Sequence, residues 1–96
     1  MDLSIVIPVY NEEQNILPLL EEITSVLRVT DRSYEIICVD DGSEDQSYKI
    51  LSEISRKINS LVVIRFRRNF GQTAALQAGF DAAQGNVIVP MDADLQ

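Results

Sequence analysis

Four short apolar runs, separated by three segments of helical periodicity, constrain the fold of this chain more than any other feature. The runs are Leu3 to Val9, Tyr34 to Val39, Leu61 to Phe66 and Asn86 to Met91, and they are rich in valine and isoleucine. β-Branched residues suit a pleated, packed surface, and near-continuous apolar strands are what a parallel sheet needs when helices cover both faces. Between the first two runs, Ile16, Leu19, Leu20, Ile23 and Leu27 recur at i, i+3, i+4, i+7 and i+11. That spacing predicts one apolar helical face from about Asn15, with Pro18 in the first turn. Ser43 and Gln46 form an S-x-x-Q capping box ahead of a second helix, whose stripe is Ile50, Leu51, Ile54 and Ile58. A third helix, Gln72 to Gln84, is rich in small residues such as Ala75, Ala78 and Gly79, so it can lie close to the sheet. Gly85 then reads as its C′ stop. Strands alternating with helices of this length define βαβ units. Right-handed crossovers turn them into an α/β, Rossmann-like parallel sheet with flanking helices and strand order 3-2-1-4.

Composition narrows the chemistry. Ninety-six residues make at most one domain. The sequence has no histidine, which removes Ser-His catalysis and histidine metal sites. Its one cysteine, Cys38, lies within an apolar run and reads as a buried, inert thiol. A net charge of −7 disfavours nucleic acid and anionic membranes, and would repel a nucleotide phosphate unless a cation or a basic cluster intervened. No apolar run approaches the ~20 residues of a membrane span, and the N-terminus lacks a signal peptide's basic region, so the expected compartment is the cytoplasm.

Open parallel sheets bind ligands beyond the carboxyl ends of their strands, where the strand order reverses, here between strands one and four. Strand one exits into Tyr10-Asn11-Glu12-Glu13, strand two into Asp40-Asp41-Gly42-Ser43, and strand four into Asp92-Ala93-Asp94. Acidic groups from three strand ends thus converge on one crevice, beside a loop carrying Arg65, Arg67 and Arg68. If strand four continues, its period of two puts the Asp92 and Asp94 carboxylates on one side. Like charges so close are costly unless a cation lies between them, and a hard divalent ion such as Mg²⁺ or Mn²⁺ suits this oxygen-rich setting. The alternative is a pair of solvated turn aspartates. Asp40 and Asp41 point in different directions, so one can face the crevice while the other caps the turn, and Asp41 is the better candidate to bond a nucleobase. Tyr10 offers a ring for a base, or packs on its own sheet. Glu12 can accept from a ribose hydroxyl, or serve the helix dipole. The arginines can neutralise phosphate; for Arg65 and Arg67 so acidic a chain favours a solvated or acid-paired surface role instead. Gly42 is a turn device.

The blocks SIVIPVYNEEQNI, EIICVDDGSEDQS, RRNFGQTAALQAGFDAAQG and VIVPMDADLQ, in this order and spacing, resemble the GT-A glycosyltransferases of family 2. The wording of the third is most similar to the branch that glycosylates polyprenyl phosphates, the dolichol-phosphate mannose synthases and undecaprenyl-phosphate glucosyltransferases. The resemblance implies an inverting, metal-dependent transfer of a sugar from a UDP- or GDP-linked donor to a polyprenyl phosphate. By likeness, Pro8, Tyr10, Glu12, Val39, Asp41, Asp92, Ala93 and Asp94 bind the donor. Asp92 and Asp94 are the catalytic D-x-D pair. Asp94, Asp92 and Gln96 are the metal ligands, for Mg²⁺ or Mn²⁺. Family members continue beyond Gln96, so residues 1–96 are expected to be the N-terminal nucleotide-sugar-binding part of the domain, inactive alone, from a protein at the cytoplasmic face of the membrane. The strand-four edge, unpaired without later strands, is expected to favour homo-oligomers. A non-catalytic nucleotide-binding or assembly module, and a family 2 transferase with a polysaccharide acceptor, are the alternatives. A sugar nucleotidyltransferase would carry a glycine-rich basic loop after strand one. A phosphoacceptor signalling domain would carry its acidic pair there and a lysine after a later strand.

Overall fold

The computed structural model describes residues 1–94. It orders them as β1 (Leu3–Val9), α1 (Ile16–Leu27), β2 (Tyr34–Asp40), α2 (Ser47–Ser55), β3 (Leu61–Arg65), α3 (Gln72–Ala82) and β4 (Val87–Pro90). The strands form one sheet in the order β3-β2-β1-β4, and every pairing is parallel. The expected topology is therefore the observed one.

Alternation along the strands divides the core between two faces. Ile5, Ile7 and Val9 of β1, with Ile36 and Cys38 of β2, pack against Ile16, Leu19, Leu20 and Ile23 of α1 and Leu51 of α2. The intervening Val6, Ile37 and Val39 pack on the opposite face against Ala75 of α3. The small residues of α3 bring it close: a Cβ on Gly79 would collide with the Val6 side chain. Burial pushes the Cys38 thiol up to about 12, so it stays protonated and unreactive at neutral pH.

Several element ends differ from the sequence expectation, three of them with consequences for the neighbouring loops. The 43–46 segment does not form a capping box. α2 starts at Ser47, Gln46 makes no side-chain cap bond, and the Ser43 hydroxyl instead accepts the Asn11 N–H at 2.9 Å. α3 stops at Ala82 rather than Gln84, because a buried polar pair draws the chain away: Gln84 N–H donates to Glu35 Oε2 (2.7 Å) and Gly85 N–H to Ser4 Oγ (2.8 Å). Gly85 is accordingly not a left-handed helix stop; it lies where a Cβ would meet the Ser4 backbone nitrogen at 2.6 Å. β4 ends at Pro90, so Asp92 and Asp94 lie past the strand rather than within it.

That early end opens the top of the sheet. Val6 O accepts the Met91 N–H (2.9 Å), so the even positions of β1 direct their backbone groups toward β4. Pro8 is the next such position, and the β1–β4 pairing has already stopped at Val6 opposite Pro90. A residue without an N–H is tolerated where the ladder has no partner to accept one. The gap between β1 and β4 at this end is the switch point of the strand order.

Candidate functional site

A cavity of about 300 Å³ occupies this gap. Of the residues singled out in the sequence, Pro8, Tyr10, Glu12, Asp41, Asp92, Ala93 and Asp94 line it. Val9 and Gln72, which sequence reasoning passed over, complete the wall. Val39 is elsewhere, fully buried in the cluster under α3, so its side chain does not line the cavity. Gln96 lies outside the described residues.

Each wall residue is held by its loop. Asn11 adopts the left-handed conformation (φ 52°), which asparagine tolerates better than most side chains. Its Oδ1 accepts the Glu44 N–H at 2.9 Å, tying the loop after β1 to the loop after β2. Ser47, fully buried, accepts the Glu12 N–H at 2.9 Å, and Glu12 Oε2 accepts from Asn15 Nδ2 at 2.7 Å. Glu12 therefore precedes α1 and braces its first turn, while one side of it remains on the cavity. Asp45 reinforces the same junction, accepting Ser47 N–H (2.8 Å) and Glu13 N–H (3.2 Å). Partial burial pushes the Asp45 carboxyl up, but hydrogen bonds from Ser47 and Glu13 outweigh it and hold the group below the usual range. Asn11 gave no signal in the sequence beyond its place after a strand.

The two aspartates at the end of β2, Asp40 its last residue and Asp41 the next, point in different directions. Asp41 is almost fully buried, and its carboxylate clamps the loop before α3. Oδ1 accepts Phe70 N–H at 2.7 Å; Oδ2 accepts Gly71 N–H and Asn69 Nδ2, each at 3.0 Å. Gly42, at φ 71°, fits under that loop, and a Cβ there would collide with the Arg68 backbone. Asp40 shares the side of β2 that carries Ile36 and Cys38 and does not line the cavity. It is fully buried, and neither of its carboxylate oxygens has a hydrogen-bond partner among the described residues.

The arginines do not line the acidic cavity. Arg65 stacks over the Tyr48 ring at 4.0 Å, and Arg68 over Phe70 at 4.7 Å. Arg67, Arg68 and Phe70 line a separate cleft of about 320 Å³.

Asp92 and Asp94 are exposed and line the cavity together with Tyr10 and Glu12. Among the described residues no group of three His, Cys, Asp or Glu side chains is clustered closely enough to hold a metal ion. Two carboxylates on an open wall nevertheless fit a hard divalent ion that keeps several waters and takes its remaining ligands from a substrate's phosphates.

The glycosyl transferase family 2 model matches residues 4–96, and the chain belongs to that family. It is 47% identical over 96 residues to an uncharacterized glycosyltransferase of Synechocystis sp., covering all of this chain and 30% of that protein. It is 45% identical over 94 residues to the undecaprenyl-phosphate 4-deoxy-4-formamido-L-arabinose transferase of Proteus mirabilis, covering 97% of this chain and 29% of that one. It is 42% identical over 97 residues to the dodecaprenyl-phosphate galacturonate synthase of Rhizobium johnstonii, covering 100% and 29%. The chain thus spans about three tenths of the length of these relatives. S. aureus TarS in complex with UDP superposes with a TM-score of 0.83 at 28% identity, covering 98% of this chain and 28% of that one. The mannosyltransferase PcManGT of Pyrobaculum calidifontis, in complex with GDP-Man and Mn²⁺, superposes with a TM-score of 0.84 at 24% identity, covering 96% and 27%, a likeness of fold. The fold is the N-terminal part of a GT-A glycosyltransferase domain.

Proposed function

We propose that this chain is the donor-binding part of a transferase that moves a sugar from a nucleotide diphosphate to a polyprenyl phosphate, with inversion at the sugar carbon. The observation that carries this reading is the convergence of Tyr10, Glu12, Asp41, Asp92 and Asp94 on one cavity at the switch point. The undecaprenyl-phosphate and dodecaprenyl-phosphate transferases of Proteus and Rhizobium to which the chain is similar support the lipid phosphate acceptor.

In this reading Tyr10, 43% exposed, stacks on the base. Asp41 has about four acceptor positions, three of them filled by the 69–71 loop, and the last accepts the imide N–H of uracil or the N1–H of guanine. Glu12 accepts from a ribose hydroxyl. Asp92 and Asp94, with Gln96 beyond the described residues, hold Mg²⁺ or Mn²⁺ against the diphosphate. The bound ion supplies neutralisation of the charge that grows on the leaving diphosphate. The acceptor phosphate is already ionised near neutral pH, so the nucleophile needs little help from a general base. The chain has no helix among its described residues long and apolar enough to cross a membrane. We assign the whole protein to the cytoplasmic face of the membrane because its acceptor is a membrane lipid.

Calorimetric titration of UDP and GDP, with and without Mn²⁺, tests the donor assignment. Mn²⁺ should strengthen binding of one nucleotide by about tenfold or more, and Asp94→Asn should abolish that gain. Equal affinity in all four combinations would refute it.

A further inference from the structure

We propose that the donor's nucleoside is uridine rather than guanosine, and that Gln72 is a specificity-determining residue whose side-chain amide donates to a uracil carbonyl beside Asp41. This rests on the donor reading above, which leaves both bases open. Three observations carry it. The first is the count of acceptor positions on Asp41. Oδ2 accepts from Gly71 N–H and from Asn69 Nδ2, so both of its positions are filled. Oδ1 accepts from Phe70 N–H alone and keeps one position. Guanine presents two adjacent donors, N1–H and the exocyclic amino group, and needs both oxygens of a carboxylate to meet them. With Oδ2 saturated, its amino group is left unpaired against a side chain that is only 3% exposed, where water has little access. Uracil presents one donor, N3–H, between two carbonyls, and one open acceptor satisfies it. Cytosine and adenine carry a ring-nitrogen lone pair at the corresponding place, which the carboxylate repels.

The second observation is Gln72. It lines the same cavity, directly follows the Gly71 whose N–H Asp41 holds, and its amide has no hydrogen-bond partner among the described residues. One acceptor with a free amide donor beside it complements uracil's N3–H and an adjoining carbonyl. Third, guanine also presents O6 and N7, a pair of acceptors that an arginine fork matches. Among the described residues no arginine or lysine lines the cavity; Arg65 lies over Tyr48 and Arg68 over Phe70.

The test is calorimetric titration of UDP, GDP, CDP, N3-methyl-UDP and inorganic pyrophosphate, each with Mn²⁺, into the wild-type chain and Gln72→Leu. UDP should bind about tenfold or more tighter than the other three nucleotides, the penalty for one unpaired buried donor or one lost charge-assisted bond. Gln72→Leu should weaken UDP about threefold to tenfold, the range for a neutral hydrogen bond, and leave pyrophosphate unchanged, because pyrophosphate has no base to contact. Gln72 is exposed, so the fold should persist by circular dichroism. GDP binding as tightly as UDP, or more tightly, would overturn the uridine assignment and leave the donor reading standing. Equal affinity for UDP and N3-methyl-UDP would overturn it as well. UDP and pyrophosphate weakened in the same proportion by Gln72→Leu, or neither weakened, would overturn the role of Gln72. No nucleotide bound with Mn²⁺ would remove the donor reading and this assignment with it.

Discussion

Asp41 uses three of its acceptor positions on the loop before α3, so its role is structural before it is chemical. Asp41→Asn keeps the shape but exchanges an acceptor oxygen for a donor amide facing two N–H donors. It should cost about 1.5–3 kcal/mol in urea unfolding, the range for hydrogen bonds to a charged group. A loss confined to nucleotide affinity would show that the clamp contributes nothing. Asp45 has a different signature. Its folded-state pKa is lowered, so its stabilisation is present above the unfolded carboxylate range and is lost as pH falls through the folded value. Asp45→Asn should therefore lower the melting temperature at neutral pH, with the gap to wild type closing in strong acid. Cys38, buried and held at about 12, should resist alkylation until the chain unfolds. Labelling at the rate of a free thiol in native buffer would contradict that.

At the scale of elements, sequence and structure agree where one local rule decides. The β-branched runs and the apolar stripe of α1 each had a single satisfying arrangement, and the alternation of strand and helix left one topology. The element ends were not legible, because residues distant in sequence decide them. Ser43 was diverted from capping by Asn11, and α3 was cut short by Ser4 and Glu35, at the far end of the sheet. The candidate site was legible to the same degree. Strand exits can be read, so Tyr10, Glu12, Asp41, Asp92 and Asp94 were found. Gln72, on a helix start, and the loop clamp of Asp41 depend on a packing that no spacing encodes. The closeness of α3 gives a further expectation. Gly79→Leu must push the helix off Val6 and should cost about 1–3 kcal/mol or more. An unchanged unfolding midpoint would mean that α3 does not bear on the sheet.

For the whole molecule, the sheet does two things with one topological fact. Placing β4 beside β1 reverses the strand order, and ending β4 at Pro90 leaves the top of β1 unpaired, so the same arrangement creates the cavity and delivers the acidic pair to it. Among the described residues β4 pairs with β1 alone, and its residues are all exposed, so its other edge is open to a further strand or a second copy. In the proposed reading, the Asp92–Asp94 wall, the Glu12 loop and a divalent ion meet in that cavity. Paramagnetic broadening of backbone amide signals by Mn²⁺ in the presence of UDP or GDP tests it most directly. Amides near Tyr10, Glu12, Ala93 and Asp94 should broaden first, while Ser33 and Gly85 at the opposite end of the sheet stay sharp; uniform broadening, or broadening centred anywhere else, would contradict it.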